Sequence, residues 1–595
     1  MQQKQSKKQG KQGNKFTNLI PYIIALCSGV LMGLSVAPFG AWFFAWFSLA
    51  PLWILVIRSA QRKNLSPSLT LALAWGIGYH GIALSWITGI HPMTWMGVPW
   101  LASLAIALFC WLFITLWGAA LVASWATGMR VISRSIHNGL ARVLIGTALW
   151  CGLEALWSAG PLWWSSLSYT QSPHNLVILH LGQLSGPSVV TAAIVAVNGL
   201  IAEAFINRQD AENAEKNFIF SSALLARQVL QRGEPQRPSG SQSPRSGDPP
   251  AALSHQIPLS GNPPAGLAPQ RTASSMSWGH PALKRFVYLS SATALLITLH
   301  LIGFGLYSRP LTQPAEAALK VGIVQGNVPN EIKLYPEGFR RAIEGYTTGY
   351  LKLANKNVDA VLTPEGALPF FQNQVIRSSM VAAVREKGVV AWIGGFYKQG
   401  TSYTNSLFTV AGDGEIKSRY GKAKMVPIGE YIPFESILGG IISRLSPLDE
   451  HQVPGSPNQL FDTPFGRAIV GICYESAFSG QFRRQAAAGG QFILSPSNDA
   501  HYSAAMPAQH HAQDIMRAIE TDRWAVRATN TGYSAFVNPH GKTVWISGHN
   551  TYEVHAETIY RRQTQTLYVR WGDWLTPLLL GAGILAWLIG IVQNS

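Results

Sequence analysis

The residue types best suited to covalent chemistry meet in the C-terminal half of the 595-residue sequence. Cys473 sits in Val470-Gly471-Ile472-Cys473-Tyr474-Glu475, Glu365 in Thr363-Pro364-Glu365, and Lys422 follows Arg419-Tyr420-Gly421. A thiol becomes a nucleophile when a base takes its proton, and the oxyanion formed by its attack needs a positive or donor group beside it. Glu365 can be that base and Lys422 that positive group. Each residue also has a plain structural reading: a cysteine after Val-Gly-Ile suits a buried strand, and a glutamate after proline suits a solvated turn. Cys27, Cys110 and Cys151 lie in apolar stretches, where a small hydrophobe is ordinary. One cysteine in the polar half, with no Cys-x-x-Cys pair, offers neither a disulfide framework there nor a thiolate zinc site. His501, His510 and His511 lack the His-Glu-x-x-His spacing and a nearby thiolate, so no metal or other cofactor is expected.

Each of the three candidate residues ends a β-rich run, and strand ends are where sites form in open α/β sheets. Between about 318 and 556, short β-rich runs (319–325, 360–363, 389–393, 406–410, 468–472, 492–495 and 534–538) alternate with helical patterns such as 337–356 and 507–525. This predicts an α/β domain large enough to bury its own core.

The rest of the chain is of another kind. Hydrophobic residues make up 48% and charged residues 13%, the balance of a membrane protein rather than a soluble one. A bilayer core needs about 20 mainly apolar residues per helix. Eight such spans are expected, near 18–36, 42–58, 68–88, 99–126, 140–159, 176–205, 286–306 and 573–592. The net charge of +17 is spread over the leader and short loops rather than one stripe, which argues for topology signals and against nucleic acid. Loops with Arg58, Arg62 and Lys63, and with Arg130, Arg134 and Arg142, alternate with loops poor in Lys and Arg, so the α/β domain is expected outside the cytoplasm. The divisions expected are a basic cytoplasmic leader at 1–17, a six-helix membrane domain at 18–206, a Pro/Ser/Gly/Gln-rich disordered cytoplasmic insert at 207–283, a seventh helix at 284–308, the catalytic domain at 318–556 and an eighth helix at 571–595.

Pro364-Glu365-Gly366, Tyr420-Gly421-Lys422 and Gly471-Ile472-Cys473-Tyr474-Glu475 resemble the Glu-Lys-Cys motifs of the carbon-nitrogen hydrolase, or nitrilase, superfamily. Val426-Pro427-Ile428-Gly429-Glu430-Tyr431-Ile432-Pro433 and Cys473-Tyr474-Glu475 are similar to the apolipoprotein N-acyltransferase family in particular. So are Asn405-Ser406, Asn498-Asp499-Ala500, Gln509-His510 and, in the membrane half, Leu167-Ser168-Tyr169-Thr170-Gln171. The resemblance implies an αββα nitrilase-like sandwich joined to a polytopic α-helical membrane domain in a bacterial inner membrane. It implies transfer of an acyl chain from a phospholipid to the α-amino group of a lipoprotein's diacylglyceryl-cysteine, through a thioester on Cys473. Glu365 and Lys422 complete the implied catalytic set; Glu430, Tyr474, Glu475, Asn405 and Tyr335 support it or contact substrate, with Glu430 expected beside Lys422. A membrane-bound amidase or nitrilase-type hydrolase is the alternative. The sequence departs from the family pattern at Leu334, at Thr363 where Trp is usual, at Lys424, at Trp157 and at His501-Tyr502-Ser503.

Overall fold

The computed structural model describes residues 19–60, 66–206, 281–427, 429–431 and 451–594. The expected leader and nearly all of the expected insert lie outside these residues, as do Ile428, Ile432 and Pro433. The chain divides into two units, residues 1–203 with 289–595, and residues 204–288.

Among the described residues six helices are long and apolar enough to cross a membrane: Trp42–Ala60, Trp100–Ser135, Gly139–Ala159, Pro187–Ile206, Leu283–Tyr307 and Leu575–Gln593. Eight spans were expected. Leu19–Leu34 is apolar but shorter, and Ser66–Ala83 carries Ser66, Ser68, Thr70, Tyr79 and His80 among its 18 residues. The stretch expected as one helix over 176–205 is broken. Leu176–Leu179 and Gly182–Ser185 are single turns, Gly186 adopts φ 74°, and Pro187, with no N–H to donate, starts the long helix.

Glu154 lies on Gly139–Ala159, where an unpaired carboxyl would be costly. Four donors meet it: Trp150 Nε1 at 3.2 Å and Leu167 N at 2.9 Å on Oε1, with Ser166 Oγ at 2.8 Å and Thr191 Oγ1 at 2.9 Å on Oε2. Glu154 thereby fixes the turn Leu167–Gln171 at the end of its helix. His80 is held by Ser165 Oγ, 3.1 Å from its Nδ1.

The C-terminal half is a two-sheet sandwich. Its strands are β1 Ala318–Gln325, β2 Ala360–Leu362, β3 Val390–Gln399, β4 Ser402–Val410, β5 Ile416–Gly421, β6 His451–Gln452, β7 Phe461–Thr463, β8 Gly466–Val470, β9 Phe492–Ser497, β10 Ala525–Thr529, β11 Ala535–Val537, β12 Thr543–Ile546 and β13 Glu553–Tyr560. One sheet runs β13-β1-β2-β3-β4-β5 with β6 paired to β4, and the other runs β12-β11-β10-β9-β8-β7. The parallel pairs β1–β2, β2–β3, β8–β9 and β9–β10 form the middle of the two sheets. Leu362, Trp392, Val470, Leu494 and Val526 fill the layer between the sheets. The helices Pro336–Ala354 and Ser379–Lys387 cover one outer face. Ser479–Ala487 and Ala505–Thr521 cover the other. The result is an αββα sandwich, the architecture the resemblance implies, and an α/β domain as the alternating pattern predicts.

The sandwich is bonded to the turn that Glu154 fixes. Tyr169 Oη donates to Ala477 O at 3.0 Å, Ser172 Oγ to Ala512 O at 2.6 Å, and Trp164 Nε1 to Gln509 Oε1 at 2.8 Å, while Gln509 Nε2 donates to Ala83 O at 2.8 Å. Chain packing at this junction is close: a Cβ on Gly89 would lie 2.4 Å from Ser503 N.

Glu154→Leu removes the shared acceptor of four donors; Ser166 and Thr191 can turn to each other, while the Trp150 and Leu167 N–H groups lose their acceptor at about 1–3 kcal/mol each when buried. The midpoint of thermal unfolding in detergent is expected to fall by several degrees. An unchanged midpoint would contradict the role given to Glu154.

Candidate active site

Four strand ends converge. Glu365 follows β2, Lys422 follows β5, Cys473 lies just past β8, and Asn498 and Asp499 follow β9. The loop carrying Glu365 passes so near β3 that a Cβ on Gly394 would lie 2.0 Å from Pro364 O. Thr363, in the place usual for Trp, bridges the two strands: its hydroxyl donates to Trp392 O at 3.2 Å and accepts from Gly394 N at 3.1 Å.

The Lys422 side chain is 1% exposed and reaches two carboxylates, Glu365 Oε1 at 2.9 Å and Glu430 Oε1 at 2.7 Å. Burial works against its charged form, but Glu365, Glu430 and Cys473 outweigh burial and hold the ammonium well above its ordinary value. An ammonium has three hydrogens, and these two bonds leave one for an incoming oxyanion. Asn405 Nδ2 donates to Glu365 Oε1 at 2.7 Å, and Asn405 O accepts from Lys422 N at 2.8 Å. Glu430 is tied down by Val426 N, which donates to its Oε2 at 2.7 Å.

Cys473 sits at a left-handed elbow with φ 53°, a conformation that costs a non-glycine residue about 1–3 kcal/mol and must be held by its surroundings. Its thiol is buried, and burial pushes it well above its ordinary value; Glu365 and Asp499 add to the rise, while Lys422 and the Asn498 N–H oppose it. That same N–H donates to Glu365 Oε2 at 3.1 Å, so sulfur and carboxylate share one donor. Glu475 joins the lysine and cysteine loops, accepting from Ala423 N at 2.7 Å and Lys424 N at 3.1 Å on Oε1, and from Ile472 N at 2.8 Å on Oε2. Tyr474 points toward the membrane half, with its ring stacked on Trp164 at 6.0 Å and 4° and its hydroxyl 2.9 Å from Trp163 O.

Comparison with known proteins fits this geometry. Residues 28–200 match the family described as "Apolipoprotein N-acyltransferase N-terminal domain", and residues 320–567 match "Carbon-nitrogen hydrolase". A protein of Nostoc sp. named apolipoprotein N-acyltransferase is 62% identical over 566 residues, covering 95% of this chain and 98% of its own. The chain belongs to the apolipoprotein N-acyltransferase family. A family member of Synechocystis sp. is 45% identical, over 94% of this chain and 99% of its own. Among solved structures, the C. elegans NitFhit protein aligns at 19% identity with a TM-score of 0.33, over 43% of this chain and 62% of that one. The family makes this chain an acyltransferase and a membrane protein.

Of the residues expected at the site, Glu365, Lys422, Cys473, Glu430, Glu475 and Asn405 form one connected cluster, and Tyr474 borders it. Tyr335 does not join. It precedes Pro336–Ala354 and is 44% exposed, because the single turn Asn330–Lys333 aims Lys333 inward and leaves Tyr335, two residues on, facing out. Lys333 had no role assigned from its sequence context, yet its Nζ donates to Glu365 O at 3.1 Å. Burial lowers it to about 8, against the pull of Glu365 and Cys473. His510 was set aside for lack of a thiolate near it in sequence, yet in space its ring lies within 4.8 Å of the Cys473 sulfur and of an Asp499 oxygen. Both of its ring nitrogens are already engaged, by Asp499 Oδ1 at 3.1 Å and Cys473 O at 2.7 Å, which leaves the trio no imidazole lone pair for a metal.

Because the Cys473 thiol is raised, its iodoacetamide labelling is expected to climb with pH through the alkaline range, with a midpoint above the ordinary thiol value of about 8.5. A midpoint below that value would contradict the buried geometry. Lys422→Met leaves Glu365 and Glu430 facing each other with no cation between them and is expected to cost at least about a hundredfold in acyl-transfer rate.

Proposed function

We propose that this chain transfers a fatty acyl group from a membrane phospholipid to the free α-amine of a lipoprotein's diacylglyceryl-cysteine. Glu365 takes the proton of Cys473, and the sulfur attacks the ester carbonyl of the donor. The free hydrogen of Lys422 bonds the oxyanion. The C–O bond breaks, the lysophospholipid alkoxide leaves with the proton held by Glu365, and a thioester remains on Cys473. The acceptor amine then attacks the thioester carbonyl and gives its proton to Glu365, and collapse of the second oxyanion expels the sulfur. Water attacking in place of the amine would make the same site a hydrolase.

The observation that carries this reading is the buried Lys422 ammonium between Glu365 and Glu430, beside a buried thiol, in a family member with apolar helices. Phe109, Leu112, Phe113 and Leu116 on Trp100–Ser135, and Leu585, Leu588 and Val592 on Leu575–Asn594, are exposed apolar side chains suited to lipid. Both substrates are lipids, and withdrawing either from the bilayer costs about 0.8 kcal/mol per exposed CH₂. A catalytic domain bonded to the membrane half avoids that cost.

The orientation we infer puts the catalytic domain on the periplasmic side of the inner membrane. Trp86 and Trp164 pack with catalytic-domain residues Tyr474 and Phe478. Arg130 and Arg134 lie near the far end of Trp100–Ser135, some 30 residues or about 45 Å of helix from Trp100. Arg130 Nη1 donates to Ser59 O at 3.1 Å there. Arginines at that end and few on the other support a cytoplasmic face opposite the sandwich.

Incubating the full chain in detergent with a phospholipid and a synthetic diacylglyceryl-cysteinyl peptide is expected to yield triacylated peptide and lysophospholipid. Cys473→Ala should reduce the yield by more than about a thousandfold. Free fatty acid with no acylated peptide would identify a hydrolase instead.

A further inference from the structure

Lys333 is held more firmly than a surface lysine needs to be. The loop after β1 is clamped by Asn530, which accepts from Val328 N at 2.9 Å and donates to Val328 O at 2.7 Å. The turn Asn330–Lys333 is pressed against the start of Pro336–Ala354, where a Cβ on Gly338 would lie 1.9 Å from Ile332 O and 2.7 Å from the Lys333 Cα. Lys333, which this packing aims inward, is 7% exposed.

A buried ammonium is costly unless its charge and its hydrogens are met. Among the described residues Lys333 makes one hydrogen bond, to the backbone carbonyl of Glu365, and no carboxylate forms an ion pair with it. Two of its three hydrogens therefore have no acceptor from the described residues. Lys422 differs, because two of its hydrogens go to Glu365 and Glu430. The two lysines flank Glu365, one on its carboxylate and the other on its carbonyl.

The surroundings of Lys333 join the nucleophile to the membrane half. Glu365 and Cys473 both act on its charge, which puts the ammonium beside the reacting groups. His501 lies near enough to feel the same charge. Asn330 Nδ2 bonds the His501 ring, which is stacked on Trp95 at 6.1 Å and 24°. Trp95 belongs to the turn Thr94–Met96 of the membrane half.

A phospholipid carries a phosphodiester about six covalent bonds, or roughly 7 Å, from its ester carbonyl carbon. With that carbon over Cys473, the phosphate is confined to the neighbourhood of the nucleophile. We propose that Lys333 binds the phosphodiester oxygens of the donor phospholipid through its two remaining hydrogens, and so favours a phospholipid over a neutral ester as acyl donor. A phosphodiester suits the place because its two non-bridging oxygens share one negative charge, which pairs the ammonium and accepts both hydrogens. The diacylglyceryl group of the acceptor has no phosphate, so the bond serves formation of the thioester and not its transfer to the amine. This role rests on the donor being a phospholipid, as proposed above.

Lys333→Gln keeps a donor for the Glu365 carbonyl and removes the charge. In the full chain in detergent, kcat/KM for acylating a diacylglyceryl-cysteinyl peptide is measured with two donors, dipalmitoyl phosphatidylglycerol and the neutral, activated ester p-nitrophenyl palmitate. The ratio of the first to the second is expected to fall about tenfold or more in the variant. An unchanged ratio overturns the inference, and equal loss with both donors is what displacement of Glu365 alone would give. Should the variant not fold, the unsubstituted enzyme decides. A dialkyl-ether phosphatidylglycerol, which has no ester to cleave, is expected to inhibit about tenfold more tightly than the dialkylglycerol of the same chains, and equal inhibition overturns the inference. Unsubstituted enzyme that acylates the peptide from p-nitrophenyl palmitate and from no phospholipid counts against the donor reading itself, and is thereby distinguished from a failure of the Lys333 role alone.

Discussion

A single ammonium, withdrawn from water and held between two carboxylates, is the constraint on which the site depends. Burying Lys422 as an ammonium depends on Glu365 and Glu430, each within hydrogen-bond distance of it. The same pairing fixes the Glu365 loop against the loop that carries Lys422 and Glu430, two segments far apart in sequence. Asn405 steadies Glu365 from β4, Val426 N fixes Glu430, and Glu475 fastens the lysine loop to the cysteine elbow. Loss of one partner would leave uncompensated charge in the interior, so the cluster favours one arrangement of these strand ends. That arrangement puts a free ammonium hydrogen beside a buried thiol.

The membrane half does more than anchor the domain. Its turn Leu167–Gln171, held by Glu154, supplies Tyr169, and the preceding segment supplies Trp164. Gln509, on the same helix as His510, is hydrogen-bonded to both Trp164 and Ala83. The helix behind the nucleophile is therefore fastened to the bilayer-facing part of the protein.

Much of this was legible in the sequence, and the failures have physical causes. The acid, the lysine and the cysteine stand out because each ends a β-rich run, and the longer strands are visible as runs of Val, Ile and Leu. Short strands such as β6, β7 and β12 are two to four residues long and leave no periodic signal. The break at Gly186-Pro187 was hidden because both flanks are apolar, so hydropathy reads across it. Lys333 and His510 were passed over for one reason. Their significance comes from long-range packing, which brings Lys333 to the Glu365 carbonyl and His510 to the Cys473 carbonyl, and no spacing along the chain encodes it.

In the proposed reaction the sulfur of Cys473 carries the acyl group between two lipids, with Glu365 moving the proton. Mass spectrometry of the purified enzyme, incubated with a phospholipid but no acceptor and then digested, tests it directly. One acyl mass is expected on the peptide containing Cys473, and its loss is expected in Glu365→Gln. Lysophospholipid released with no acyl group on that peptide, or an adduct that forms equally well in Glu365→Gln, would contradict it.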